Sequence, residues 1–298
     1  MIEAKIVADS VGPNGKRVTT FVVTYPRFIH SELMTHRMLS RNASSSRAIP
    51  VKKQIQMVID NPAIPLAFTK NKAGMQGGEA LSGDQEAAAV SAWLAGRDSA
   101  VGIAIALSDL EVHKQYANRV LEPYAHITVV ITATELTNFF ALRVHPMAQP
   151  EICELATQMW NCYRDSLPDL LIEGDWHLPF VTNEDPALTS ILFKHLDDHS
   201  KTQLKIKMSV ARCARVSYLN HEGKQPSLEE DLQLFDRLLG GMPIHASPAE
   251  HQAQALKHYH LNGECTSDDQ SGNFFGWTQY RKTLSHENIM KFDGPSEV

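Results

Sequence analysis

The 298-residue sequence predicts a mixed α/β fold on three observations. Residues 17–24 and 127–132 are β-branched or aromatic almost throughout, the composition of a half-buried or buried strand. From Asp84 to about Leu121, Ala88, Ala92, Leu94, Ala100, Ile103, Ala104, Leu107 and Leu110 supply an apolar stripe at helical spacing. Pro150-Glu151 then opens a second amphipathic helix that runs to about Ser166.

In chain order, residues 4–8 and 17–24 read as two strands around the turn Gly12-Pro13-Asn14-Gly15. Pro26 suits the first turn of a helix. Phe28, Ile29, Leu33, Met34, Met38 and Leu39 continue that helix at the right spacing. Such a helix places His36 and Ser40 on one face, one turn beyond Glu32. Asn42, Ser44, Ser45 and Ser46 end it, since these side chains bond their own backbone. Arg37, Arg41, Arg47, Lys52 and Lys53 lie here, with no acid between Leu33 and Ile59. Hydroxyls, free N–H groups and guanidinium forks so grouped suit a phosphate. A solvated basic turn is the other reading.

Residues 70–83, rich in glycine and polar side chains, form a loop, either a lid or an ordinary surface connection. The long helix follows, with a bend or break at Gly102 and a stop at Pro123. Residues 168–186 read as a connector whose Trp176, His177 and Phe180 pack or touch a ligand. A helix is expected over about 188–207, and Ser227 with Glu230 forms a capping box for another. In the tail, residues 262–298, Phe274, Phe275 and Trp277 lie among glycines, where they stack a flat ring or plug a core edge.

Composition bounds the function. At 43% hydrophobic and 21% charged the chain has the make-up of a soluble globular protein. A formal net charge of −6 argues against a nucleic-acid-coating surface. Cys153, Cys162, Cys213 and Cys265 form no C-x-x-C pair, so neither a zinc site nor a disulfide framework is indicated, and scattered thiols suit a reducing, cytoplasmic location. The N-terminus is unlike a signal peptide, and no continuous run reaches the ~18 apolar residues of a membrane span.

His36-Arg37-x-x-Ser40-x-Asn42-x-x-Ser45-x-Arg47 resembles the signature of the flavin-dependent thymidylate synthases. Thr35, Ala43 and Glu32 stand where that family has Arg, Glu and Gln. A second segment is similar to the family's Asn-x-x-x-x-Arg-x-x-x-His-Ala-Gln-x-Glu-Ile: Asn138, Arg143, Ala148, Gln149, Glu151 and Ile152 match, and Met147 replaces the His. A third pair, Ala214-Arg215-Val216-Ser217-Tyr218 and His245-Ala246-Ser247-Pro248-Ala249-Glu250-His251, resembles two further family segments. Arg119, in Asn118-Arg119-Val120-Leu121-Glu122-Pro123, resembles the Arg of Ala-Arg-x-x-Leu-Pro; the dipole at a helix C-terminus is its other explanation.

The resemblance implies a twisted mixed sheet packed with helices, assembled as a homotetramer with shared active sites. It implies FAD as cofactor, NADPH and methylenetetrahydrofolate as co-substrates, and dUMP as the small-molecule substrate, with no metal. Arg143 then activates the uracil ring as the catalytic residue; a salt bridge to Glu151 or Glu135 is its structural alternative. Glu32, Ser45, Ser46, Arg47 and Arg119 accompany Arg143 in binding the nucleotide. His36, Arg37, Asn138, Ser217, His245, Ser247 and Glu250 line the flavin site. The departures leave two other outcomes open: hydroxymethylation of dUMP or another pyrimidine nucleotide, and flavin or nucleotide binding without turnover. The family order is permuted here, with modules 17–53, 113–160 and 209–251 in one catalytic domain over 1–298. Circular permutation requires adjacent ends, so the tail and residues 1–24 are expected to adjoin.

Overall fold

The computed structural model describes residues 1–189, 191–216, 225–256 and 270–288, and the side chains of all of these but 189, 191 and 192. Two strands, β1 (Glu3–Val11) and β2 (Arg17–Pro26), pair antiparallel around a turn with Gly15 at φ 72°. Beyond them come α1 (His30–Met34), β3 (Ser40–Ala43), α2 (Val51–Asp60), α3 (Asp84–Asp109), α4 (Lys114–Ala117), β4 (His126–Ala133), α5 (Thr137–Arg143) and α6 (Pro150–Asp165). The remaining elements are β5 (Asp169–Leu170), β6 (Trp176–His177), α7 (Ile191–Lys194), α8 (Asp198–Ala214), α9 (Leu228–Leu239), β7 (Ala253–Ala255), β8 (Trp277–Gln279) and α10 (Tyr280–Thr283).

Among the described residues, five strands form a mixed sheet in the order β3-β4-β2-β1-β5, and β6-β7-β8 form a smaller antiparallel one. The alternation of side chains across the pleat decides what each face covers. Phe21, Val23, Tyr25, Ile127, Val129 and Ile131 face one layer, where Ile29, Leu33, Leu155 and Met159 complete a buried core. Val22 and Val130 face the other way, against Phe180, Cys213 and Val216. Both faces of the central strands are therefore covered, which explains their unbroken β-branched sequence.

Four expectations need correction. The helix after Pro26 does not reach Leu39: a 3₁₀ turn leads into α1, which stops at Met34. His36 lies in the following turn and Ser40 opens β3, so they share no helical face. Arg41, in the next element, holds the turn: its Nη1 donates to the carbonyls of Met34 (3.0 Å) and His36 (2.9 Å). The long helix runs through Gly102 and ends at Asp109; Glu111, at φ 58°, makes the break, and a 3₁₀ segment (Asn118–Tyr124) carries Arg119. The helix expected over 188–207 is two, because Asp197 caps a fresh start by accepting from Ser200 N at 2.9 Å. The connector at 168–186 contains β5 and β6, and its His177 is a core residue.

The capping box is present: Ser227 Oγ accepts from Glu230 N, and Glu230 accepts from Ser227 N. Residues 70–83 form the end of a small hairpin bridged at Thr69 and Ala80. Among the described residues α3 is long and apolar enough, by length and composition, to cross a membrane. It packs onto the fold through Ala100, Val101 and Ala104, and Trp93 Nε1 donates to Ala63 O at 2.8 Å. The described part of the tail lies against the first hairpin: Asn14 Nδ2 donates to Gly276 O at 2.7 Å, and Trp277 packs with Val18.

Candidate active site

The segment from His36 to Ala48 runs along the open edge of the main sheet. β3 pairs with β4 only, in the register Ser40 to Thr132. Local propensity does not explain a strand made of Ser, Arg, Asn and Ala; the free edge of β4 does.

His36 and Arg143 meet across that edge. Arg143 Nε donates to His36 Nε2 at 2.9 Å, so neutral His36 carries its proton on Nδ1. The imidazole stands edge-on to Phe139, with ring centroids 5.0 Å apart. Burial, then the positive charges of Arg143 and Arg41, hold His36 below the ordinary histidine range. Neither glutamate proposed as an ion-pair partner holds Arg143. Glu135 pairs with Lys16, and the buried Glu151 accepts from Leu66 N and from Gln149. Asn138 is exposed on the first turn of α5.

Asn42 joins this edge to the late part of the chain. Its Nδ2 donates to Cys213 O at 2.7 Å, at the end of α8, and its Oδ1 accepts from Ser247 Oγ at 3.4 Å. His245 and Ser247 are exposed nearby in sequence. Glu250 is engaged by the guanidinium of Arg281, which also bonds Glu287 at 2.7 Å. His251 is buried and hydrogen-bonded to Thr132 (2.8 Å). Ser217 lies outside the described residues.

The basic turn follows β3. Asn118 Nδ2 donates to Ser46 O (2.7 Å) and Ile49 O (2.9 Å), fixing the turn from beneath. Ser45 Oγ accepts from Arg47 N at 3.3 Å. Ser46 is buried and donates to Glu122 Oε1 at 2.8 Å; Arg119 and Arg27 hold the same carboxylate at 2.9 and 3.0 Å. Ser46 is thus committed to a buried contact, and Arg119, itself exposed, is paired to the same carboxylate at the surface. Arg37 and Arg47 are exposed, with no ion pair or side-chain hydrogen bond among the described residues, and Glu32 is half-buried at the end of α1. Among the described residues Arg37, Arg47, Ser45 and Asn138 are exposed donors open to an anionic ligand, and Arg143 keeps N–H groups beyond the one given to His36.

Sequence reasoning missed a contribution from the tail. Asn273 Nδ2 donates to Met38 O at 3.0 Å, and its Oδ1 accepts from Ser40 Oγ at 3.1 Å. Gln279 Nε2 reaches Asn273 Oδ1 (2.9 Å), Glu250 O (3.2 Å) and Ser40 Oγ (3.3 Å). The available signal was Gly272 and Gly276 bracketing Asn273: both adopt positive φ, at 61° and 77°.

A family model described as thymidylate synthase complementing protein matches residues 16–169, a little over half of the chain. Two solved structures of the UMP/dUMP methylase PolB from Streptomyces cacaoi are similar in part. The one bound with 5-Br dUMP has a TM-score of 0.43 and 19% identity, covering 55% of this chain and 90% of that one. The one bound with 5-Br UMP has a TM-score of 0.46 and 20% identity, covering 55% of this chain and 88% of the other. No curated protein matches the chain in sequence.

Proposed function

The chain belongs to the thymidylate synthase complementing protein family, and on that premise we propose that it methylates dUMP to dTMP, with FAD as cofactor and methylenetetrahydrofolate and NADPH as co-substrates. The observation that carries the reading is the 2.9 Å contact between His36 and Arg143, which brings the two family segments to one sheet edge.

The donor set fits a flavin nucleotide and a nucleotide phosphate. Arg37 and Asn138 are open at one end of the segment, and Ser45 and Arg47 at the other. Glu250 contributes through Arg281, which holds it, and Ser46 and Arg119 shape the turn from behind. When bound, reduced flavin supplies a hydride.

The residues have the following roles in this reading. Arg47, with the Ser45 hydroxyl, binds the nucleotide phosphate through charge-assisted hydrogen bonds. Arg143 directs its remaining N–H groups at the pyrimidine and stabilises the negative charge that develops there. His36 accepts from Nε and fixes the plane of the guanidinium, and its depressed basicity keeps it neutral and able to accept. Asn42 holds the Ser247 segment against β3. The permuted module order, a homotetramer and a cytoplasmic location belong to the same proposal; the contact between Asn14 and Gly276 supports the first.

The test is the mass of the nucleotide formed when the protein is incubated anaerobically with FAD, NADPH, dUMP and methylenetetrahydrofolate. A gain of one methyl group is expected. A gain of a hydroxymethyl group replaces the proposed outcome with the other one-carbon product. Unchanged dUMP with flavin bound refutes turnover on this substrate.

A further inference from the structure

The tail loop 272–279 makes more contacts with the candidate site than the packing of its aromatics requires. Phe274 and Trp277 are core residues, 1% and 0% exposed, in a cluster with Val18, Ala253 and Ala255. Phe275 between them is 41% exposed and packs against no other ring. Its backbone is nonetheless held in place. Its backbone N–H donates to Thr134 Oγ1 at 3.0 Å, just beyond β4. The preceding residue but one, Asn273, is bonded to Met38 and Ser40.

Two glycines make the loop possible. A Cβ on Gly276 would lie 2.5 Å from Asn14 Nδ2, and one on Gly272 would lie 2.5 Å from Gln279 Oε1. Both residues also adopt positive φ, so other side chains are strained there. The chain is thus folded tightly to hold an apolar ring in solvent, immediately beside the signature segment. In sequence Met38 follows Arg37, and Thr134 lies four residues before Asn138; Arg37 and Asn138 are both exposed. A flat apolar face next to hydrogen-bond donors is the arrangement that binds a planar heteroaromatic ring.

We propose that Phe275 is a ring-stacking wall of this site, supplied by the tail, and that Asn273 and Gln279 position it against the His36–Ser40 segment. The ligand class is a fused planar nitrogen heterocycle carried by a phosphorylated cofactor, and the inference rests on the flavin reading given above. The isoalloxazine and adenine rings of FAD share this chemistry, and FMN, which lacks adenine, separates them.

The experiment is binding of FAD and of FMN to the purified full-length apo-protein, followed by quenching of flavin fluorescence. Wild type, Phe275→Ala and Phe275→Tyr are compared, with melting temperatures in parallel. Phe275→Ala is expected to weaken FAD binding about tenfold, the scale of one ring stack, and Phe275→Tyr to restore it. The melting temperature is expected to change little, because the residue is 41% exposed and belongs to no buried core cluster among the described residues. An equal loss for FMN assigns Phe275 to the isoalloxazine; a loss confined to FAD assigns it to adenine. Wild-type affinity in Phe275→Ala overturns the inference and leaves the flavin reading standing. Failure of wild type to bind either flavin overturns that reading, and the inference with it.

Discussion

Arg143 and His36, 107 residues apart in sequence, share one hydrogen bond at 2.9 Å, with the guanidinium as donor and the imidazole as acceptor. A protonated His36 has no acceptor to offer, so the pair exists only with the ring neutral. Arg143→Ala removes both the donor and a nearby positive charge, and His36 then titrates closer to the ordinary histidine value of about 6.5. The imidazole ¹⁵N shifts followed against pH measure this directly. An unchanged titration in the variant would mean that burial and Arg41, without Arg143, depress His36.

A buried chain of hydrogen bonds crosses the main sheet: Ser10 to His177 (3.0 Å), His177 to Thr20 (2.8 Å), Thr20 to Thr132 (2.7 Å) and Thr132 to His251 (2.8 Å). Burial pushes His177 down to about 4 and His251 to about 3. Both are depressed below the unfolded value of about 6.5, so the unfolded chain takes up protons first as pH falls. Stability is complete above about pH 6.5. It declines as pH drops toward the folded values, approaching about 1.4 kcal/mol per pH unit for each histidine. Urea unfolding between pH 4.5 and 6 shows the slope. His126, His30 and His36 are also held below the ordinary histidine range and add to the slope. His177→Gln should remove only its own share, up to about 1.4 kcal/mol per pH unit, and an identical slope in that variant would remove His177 from the account.

The same chain yields a mutation test. Thr132→Val keeps the volume of the side chain but removes the hydroxyl shared by Thr20 and His251. Both ring nitrogens of His251 are then without a partner among the described residues, since Nε2 has none already. The expected cost is about 1–3 kcal/mol in chemical denaturation, against little change for a threonine exposed to solvent.

The fold was readable where local chemistry and burial agree. β2 and β4 are β-branched because both of their faces are covered, and the Ser227 capping box needs only its own four residues. It was unreadable where a side-chain contact or a neighbouring strand decides. The end of α1 depends on Arg41, which the sequence presents only as one more positive charge. β3 depends on the free edge of β4 and has no strand-like composition of its own. Among the residues the family motif singles out, the fold pairs His36 with Arg143 and Asn42 with Ser247, though no spacing rule connects residues so far apart. The motif also credited Ser46, Arg119 and Glu250 with ligand roles while the fold engages each within the chain. Asn273 and Gln279 carry no motif of their own, and only their partners reveal them.

That engagement separates two arginines that look alike in sequence. Arg47 is exposed with no ion pair among the described residues, whereas Arg119 is paired to Glu122, the carboxylate that also holds Ser46. Arg47→Ala is expected to weaken dUMP binding by about tenfold or more and to reduce its salt dependence, with stability changed by less than about 0.5 kcal/mol. Arg119→Ala should alter dUMP affinity far less. Titration calorimetry at two salt concentrations distinguishes them, and equal losses would place both guanidiniums on the phosphate.

Asn42 gives the sharpest test of how the early and late segments are joined. Its amide faces two carbonyls and one hydroxyl: Nδ2 donates to Cys213 O at 2.7 Å and to Ala214 O at 3.4 Å, and Oδ1 accepts from Ser247 Oγ at 3.4 Å. Asn42→Ala deletes all three contacts and leaves the Cys213 carbonyl without this donor, a loss of about 1–3 kcal/mol. Asn42→Asp is nearly isosteric, so loss of packing cannot explain its effect. It places a carboxylate oxygen against the Cys213 carbonyl, replacing a donor by a second acceptor. The 2.7 Å bond becomes a repulsion, whereas the Ser247 contact survives. If the carbonyl contact dominates, Asp is at least as destabilising as Ala, and protonation at low pH partly rescues it by restoring a donor. If the Ser247 contact dominates, Asp is close to wild type and only Ala is destabilised. Thermal unfolding of the two variants at pH 7 and pH 4.5, each referred to wild type at the same pH, decides between these orders. The short distance to Cys213 predicts the first.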